Sequence, residues 1–413
     1  MTRAFKYIFA GAVLIICAAA TYCVQTTRTA TSTGRGAVLT DHRVYDEGAP
    51  PPLPRAGETF TDPVFGTTIM RVTGERDGKD CHNSYSYWET FSLDDTRFFI
   101  ACDNEPKLYK FDPNGFQILG KRPLFDRPPG DSGYLSAEDA IWSTRSANML
   151  YSYVGLKLYT YDVATWRYVL VKDFTPELRT GYLGQMSMSA DENVFAFTKK
   201  DKDWKPYGYI VWRRDQDRIL RNENLAEFDE VQVDKSGRYA TVKAHFTKTV
   251  DVQVADLQTG GVESLTDPAP DFSPGHSDNG WQIAVGHDNW NNQYTFRKLA
   301  TPHQFKALIG FGTDWSQANH VSMLADNESW CVISNFTAAK GPVGPFRNEI
   351  FQVATDGSQR VRRLAHHHSV YRDYWDTPRA DISRDGKFIA FTSNWGSTTR
   401  RDVFIIKVPP ITQ

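Results

Sequence analysis

One short pattern recurs seven times along the chain and limits its folds more than any other feature. It is a brief strand, a Ser or Asp, a polar turn, then an apolar-aromatic strand. It reads FSLDDTRFFIA at Phe91, MSADENVFAFT at Met188, VDKSGRYATV at Val233, SMLADNESWCVIS at Ser322 and ISRDGKFIAFTS at Ile382. A weaker copy is IWSTRSANMLYSY at Ile141, and a degenerate one is GHSDNGWQIAV at Gly275. The turn residues Asp94, Ser146, Asp191, Lys235, Asn279, Asp326 and Asp385 are separated by 52, 45, 44, 44, 47 and 59 positions. Units of about 45 residues match four-stranded propeller blades. Several units carry a third strand ending in turn residues, as in KLYKFDPNG at Lys107, KLYTYDVAT at Lys157, VQVADLQTGG at Val252 and EIFQVATDG at Glu349.

No segment after residue 24 sustains the 3.6-residue apolar period of a helix. The expected class is therefore all-β, and residues 58–413 read as one seven-bladed β-propeller. Small β-sandwiches in series are the alternative, but the even period and the lack of linkers favour a closed ring. The last unit is one strand short. The unclaimed run Thr67–Thr73 (TTIMRVT) is expected to pair with Asp402–Val408, so that an N-terminal strand closes the last blade and removes the open edge. Aromatic residues, 13% of the chain, suit strands packed between blades.

The chain begins with Arg3 and Lys6 and then a 17-residue apolar run, Ile8 to Val24. Residues 1–24 read as a signal peptide, with Ala18–Ala20 as its cleavage site, or as a membrane anchor. Cys17 and Cys23 follow Ile16 and Tyr22, not the small residue a lipoprotein signal needs. The rest of the chain is expected to be exported, to the periplasm or the outer face of the cytoplasmic membrane, or secreted. Membrane contact is expected only through this segment. Residues 25–57 read as a flexible, Pro-rich tether. Cys81 and Cys102 flank one strand-turn-strand unit, so a disulfide between them is open. Cys331 reads as a buried thiol. A net charge of -2 builds no broad positive field, so nucleic acid is not an expected partner.

The pattern at Ser383–Asn394 (S-x-D-G-K-x-I-A-F-T-S-N) resembles the TolB-like, WD40-like propeller repeats of exported bacterial proteins. More distantly, the chain is similar to oligogalacturonate lyases. In that family a His-Pro-His-Pro run before the last repeat's Ser supplies metal ligands. The matching stretch here, Asp376–Asp381, has Thr377 and Arg379 at the two His positions. That ligand set therefore does not carry over.

In a propeller the first strand of each blade lines the central channel. The channel positions before the turns are Trp88 and Glu89, Glu138 and Asp139, Gln185, Asp229 and Glu230, His276 and Asp278, His320, and Arg379. Their polarity points to a ligand site at the channel mouth. Seven of the ten His lie between His276 and His368. The run His366-His367-His368 opens a long segment that includes Tyr371, Arg372, Tyr374 and Trp375. Alternate residues of an extended chain point the same way, so His366 and His368 are expected to join His276 and His320, sharing a substrate or a divalent transition metal.

An acid–base reading needs no metal. Elimination from a uronic acid must neutralise a carboxylate, remove the C5 proton and protonate the leaving oxygen. Arg379 or Arg372 suits the first task, His276, His320 or His368 the second, and Tyr371 or Tyr374 the third. Trp88, Trp290, Trp315 and Trp375 are candidates to stack on sugar. The loop His287–Asn292 is a second polar-aromatic feature whose side of the ring is open. The expected functions are a lyase-like protein acting on an acidic oligosaccharide, or a non-catalytic scaffold binding an envelope protein or glycan.

Overall fold

The computed structural model describes residues 38–125, 140–341, 343–396 and 398–411. The signal or anchor expected at residues 1–24 lies outside them. Among the described residues no helix is long and apolar enough to cross a membrane.

The strands form seven antiparallel sheets, six of four strands and one of five. Each of blades 1 to 6 is a meander in chain order, beginning at residues 81, 141, 182, 228, 274 and 317. Blade 7 takes Asp381–Ile382, Phe388–Ser393 and Asp402–Lys407 from the C-terminal end, and Thr68–Arg71 then Thr59–Thr61 from the N-terminal end. Ile69 pairs with Ile406 and Met70 with Ile405, so the expected closing strand is in place. A buried ion pair between Arg71 and Asp402 (2.8 Å) reinforces the seam.

The repeated Ser and Asp make the turn between the first two strands of a blade. Ser92 Oγ donates to Asp94 (3.0 Å), and Ser383 Oγ to Asp385 (2.9 Å). The Asp oxygen then accepts backbone N–H groups two residues on, from Thr96 and from Lys387. Gly386 supplies the left-handed corner at φ +77°. Between blades the aromatics interlock. Phe91, Phe98, Tyr109 and Phe111 of blade 1 pack with Phe388 and Ile405 of blade 7 in one buried cluster. Burying a side chain of this size contributes about 1.5–3 kcal/mol, so the blade seams hold much of the stability.

Cys81 and Cys102 are cross-strand neighbours in blade 1 and form a disulfide. Cys331 is buried and free. Residues 38–57, expected as tether, lie instead along blades 6 and 7. Val38 and Leu53 pack on the apolar cluster there. The Arg363 guanidinium donates to the Arg43 carbonyl and Trp395 Nε1 to the Pro51 carbonyl. A Pro-rich, non-strand segment without apolar alternation docks here through its backbone carbonyls, a signal that periodicity does not register.

Candidate functional site

All inner strands begin at the same end of the channel. Three consecutive ones, in blades 3, 4 and 5, break their pairing there, between Gly184 and Ser187, Phe228 and Glu230, and Pro274 and Ser277. Bulges re-aim side chains and gather beside functional sites. These three re-aim Gln185, Asp229 and His276. Gln185 sits at φ +43°, as does Arg379 of blade 7. Non-glycine residues held there cost about 1–3 kcal/mol each, so the surrounding packing must enforce them.

His276 is solvent-exposed although protein surrounds it closely. Its ring stands 5.1 Å from that of His320 in blade 6. Burial, then the charge of Lys243, pushes the His276 imidazole down to about 4. Burial, His276 and Arg379 drive His320 well below the usual range. Both rings are therefore neutral at neutral pH. His320 is 2% exposed, and neither of its ring nitrogens is hydrogen-bonded to protein. Leaving such a group unmatched costs about 1–3 kcal/mol, so this pair is a polar surface suited to a ligand rather than to core packing.

Aromatic rings frame the pair. Tyr85 is 5.2 Å from His320, Phe336 5.6 Å and Tyr374 6.4 Å, centroid to centroid. Arg379 is fully buried, with its guanidinium 4.8 Å from the Trp375 ring and 5.6 Å from that of Tyr374. Its charge reaches His82, Tyr85 and His320. The His82 ring lies tilted against Trp375 at 4.9 Å and is lowered to about 4 by burial, then by Arg379. On the blade 4 side, Lys243 pairs with Glu230, which also accepts from Tyr87 Oη. Burial pushes the Glu230 carboxyl up, but Lys243 and Tyr87 outweigh it and keep the group ionised. The exposed Asp229 beside it is raised to about 6 by burial and by Glu230.

Of the expected site residues, His276, His320, Tyr374 and Arg379 come together. Tyr371 is one ring removed, stacked on Phe336 at 5.6 Å. His366 and His368 do not join them. Strand pairing runs His320 to Ser334, Ser334 to Ile350, and Ile350 to Ala365, the neighbour of His366. Three strand spacings separate the two sites by about 14 Å. The triple-His run belongs to the end of the outermost strand of blade 6, not to a loop over the channel. His366 and His368 are near each other (6.1 Å), but they meet Glu349 and Glu47.

The four-histidine metal site therefore does not assemble, and among the described residues no three His, Cys, Asp or Glu side chains group as ligands. The donor set at the mouth does not fit a metal either. It has two imidazoles, and the nearby Glu230 carboxylate is held by Lys243 with a second cation, Arg379, close to His320.

Arg379 is not an open carboxylate clamp, because it lies beneath Tyr374 and Trp375. Trp88 is buried and its indole N–H donates to the Met186 carbonyl, so it is a packing residue. Glu89 and Asp278 lie further down the channel near Lys235 and Arg384. Glu138 and Asp139 are outside the described residues. Residue-by-residue reading missed His82, Tyr85, Tyr87 and Lys243. The alternating Tyr85-Ser86-Tyr87 was a usable signal, and Lys243 becomes findable once its register opposite Glu230 is known.

No family model matches the chain, and no curated protein matches it in sequence. Solved structures do. The oligogalacturonate lyase of Vibrio parahaemolyticus aligns with a TM-score of 0.63 at 14% identity, covering 85% of this chain and 96% of that one. An oligogalacturonate lyase in complex with manganese aligns at 0.61 and 16% identity, covering 87% and 98%. TolB of Acinetobacter baumannii aligns more loosely, at 0.37 and 12% identity, over 70% of this chain and 64% of its own. The likeness is one of fold, the seven-bladed propeller.

Proposed function

We propose that the channel mouth binds an acidic oligosaccharide and cleaves it by β-elimination. The observation that carries this reading is the exposed, neutral His276, with Lys243 near it and His320 behind it, and the buried cation Arg379 on the far side of His320. His276 would take the C5 proton of a uronate residue. The C–H electron pair becomes the C4–C5 double bond as the C4–O bond breaks, and the leaving oxygen takes a proton from Tyr374. His276 then returns its proton to solvent, and the Tyr374 phenolate takes one back from solvent. Lys243 and Arg379 supply the positive field that offsets charge growing on the carboxylate, and that same carboxylate would raise the basicity of His276 on binding. The fold shared with two oligogalacturonate lyases supports the reaction class. The apolar N-terminal run and the Cys81–Cys102 disulfide support export.

The protein should raise near-ultraviolet absorbance on at least one polymer of an acidic polysaccharide panel, and His276→Ala should lower that rate about 10²-fold or more. A second reading rests on Thr377 and Arg379, which stand where the resembled family places ligands. It is a non-catalytic scaffold whose mouth binds a glycan or an envelope protein without turnover.

A further inference from the structure

The loop between the second and third strands of blade 5 is not needed for the reaction above, yet it is built with care. Pro274 pairs with Asp288, which puts this loop at the same end of the channel as His276. Asp288 caps it, accepting the backbone N–H groups of Trp290 (2.9 Å) and Asn291 (3.1 Å) and the side-chain amides of Asn291 (2.7 Å) and Gln293 (3.0 Å). His287 holds Asn289 and Asn292 through its two ring nitrogens. Asn292 then reaches the link between blades 5 and 6, donating to the carbonyls of Gly312 (3.2 Å) and Asp314 (2.9 Å). That second loop carries Trp315 and leads into the inner strand with His320.

Two cross-linked, rigid loops thus present two indoles that are 54% and 53% exposed, Trp290 and Trp315. Indoles held out to water on so much hydrogen bonding serve no packing purpose. The platform is continuous with the reacting site. A Cβ on Gly275, next to His276, would stand 2.5 Å from Asn289 Nδ2, so the loop lies directly against it.

We infer that Trp290 and Trp315 form a stacking subsite for sugar units beyond the one held at His276, so that the ligand is an extended oligosaccharide running outward over blades 5 and 6. This rests on the glycan reading above. A pyranose ring has an apolar face that covers an indole and a hydroxyl edge that stays in water, which suits rings flanked by polar loops. A rigid platform loses little entropy on binding.

The test is calorimetric binding of an oligogalacturonate disaccharide and hexasaccharide, with neutral cellohexaose as control, to the full chain and to Trp290→Ala, Trp315→Ala and the double variant. Both residues are surface rings, so the variants should keep the wild-type melting temperature. The hexasaccharide should bind wild type at least about tenfold more tightly than the disaccharide. Each single variant should lose much of that advantage with disaccharide binding unchanged. Hexasaccharide affinity unchanged in the double variant overturns the inference, as does the absence of oligosaccharide binding to wild type. Tryptophan-dependent binding without any elimination keeps the subsite and rejects the lyase reading. Tryptophan-dependent binding of cellohexaose alone keeps the subsite and rejects its acidic ligand.

Discussion

In the proposed reaction His276 would act through its surroundings. Burial and Lys243 hold the ring neutral down to about pH 4, well below the ordinary imidazole range. A base must be deprotonated to act, so kcat/KM, which reports the free enzyme, should stay level from neutral pH and fall only as pH drops through about 4. An acid limb near 6.5 would instead mark an ordinary, solvated histidine as the base. At the blade 1–7 seam, the buried Asp95 faces Asp385, and burial and that second carboxyl raise it to about 8. Between the ordinary carboxylate range and 8, the folded state holds a proton that the unfolded chain has released. Stability therefore falls as pH rises through that window. Asp95→Asn should raise the melting temperature more at pH 8 than at pH 5, and an equal gain at both would argue against the shared proton.

At the scale of strands and loops, the Ser–Asp turns were legible in the sequence because local hydrogen bonds dictate their residues, and each turn marks one blade. The closing strand was legible because the blade count left a gap and Thr67–Thr73 fitted it. His366 and His368 were not placed correctly, because a period-two pattern tells which residues share a face but not whether the strand is inner or outer. That assignment depends on long-range pairing to Glu349 and Ile350. Blade 1 carries its own covalent brace between neighbouring strands. Replacing both Cys81 and Cys102 with Ser should cost about 2–4 kcal/mol, read as a drop in denaturation midpoint that matches reduction of the wild type. No difference between the oxidised and reduced proteins would contradict that contribution.

For the whole molecule, residues 38–57 form a strap packed on blades 6 and 7 of the ring. The loop that carries Tyr374, Trp375 and Arg379 over the mouth is rooted at His368. That residue is held by Glu47 of the strap (3.3 Å) and packs against Trp395 (5.0 Å). Burial pushes the Glu47 carboxyl up, but the pairing with His368, helped by His367 and Asn348, outweighs it and brings the group down to about 2. A protein beginning at residue 58 should keep its β-rich circular dichroism and lose a few degrees of melting temperature. Its activity should fall further than its stability, because the loop loses its root. Unchanged activity would show the strap to be only a cover. The ring fixes where the proposed site lies, and the side chains at its mouth would decide what it does. The most direct measurement is near-ultraviolet absorbance during incubation with polygalacturonate and other acidic polysaccharides, wild type beside His276→Ala and His320→Ala. A rise with wild type that both variants abolish is the predicted result. A flat trace on every polymer, or equal rates in all three proteins, would contradict the account.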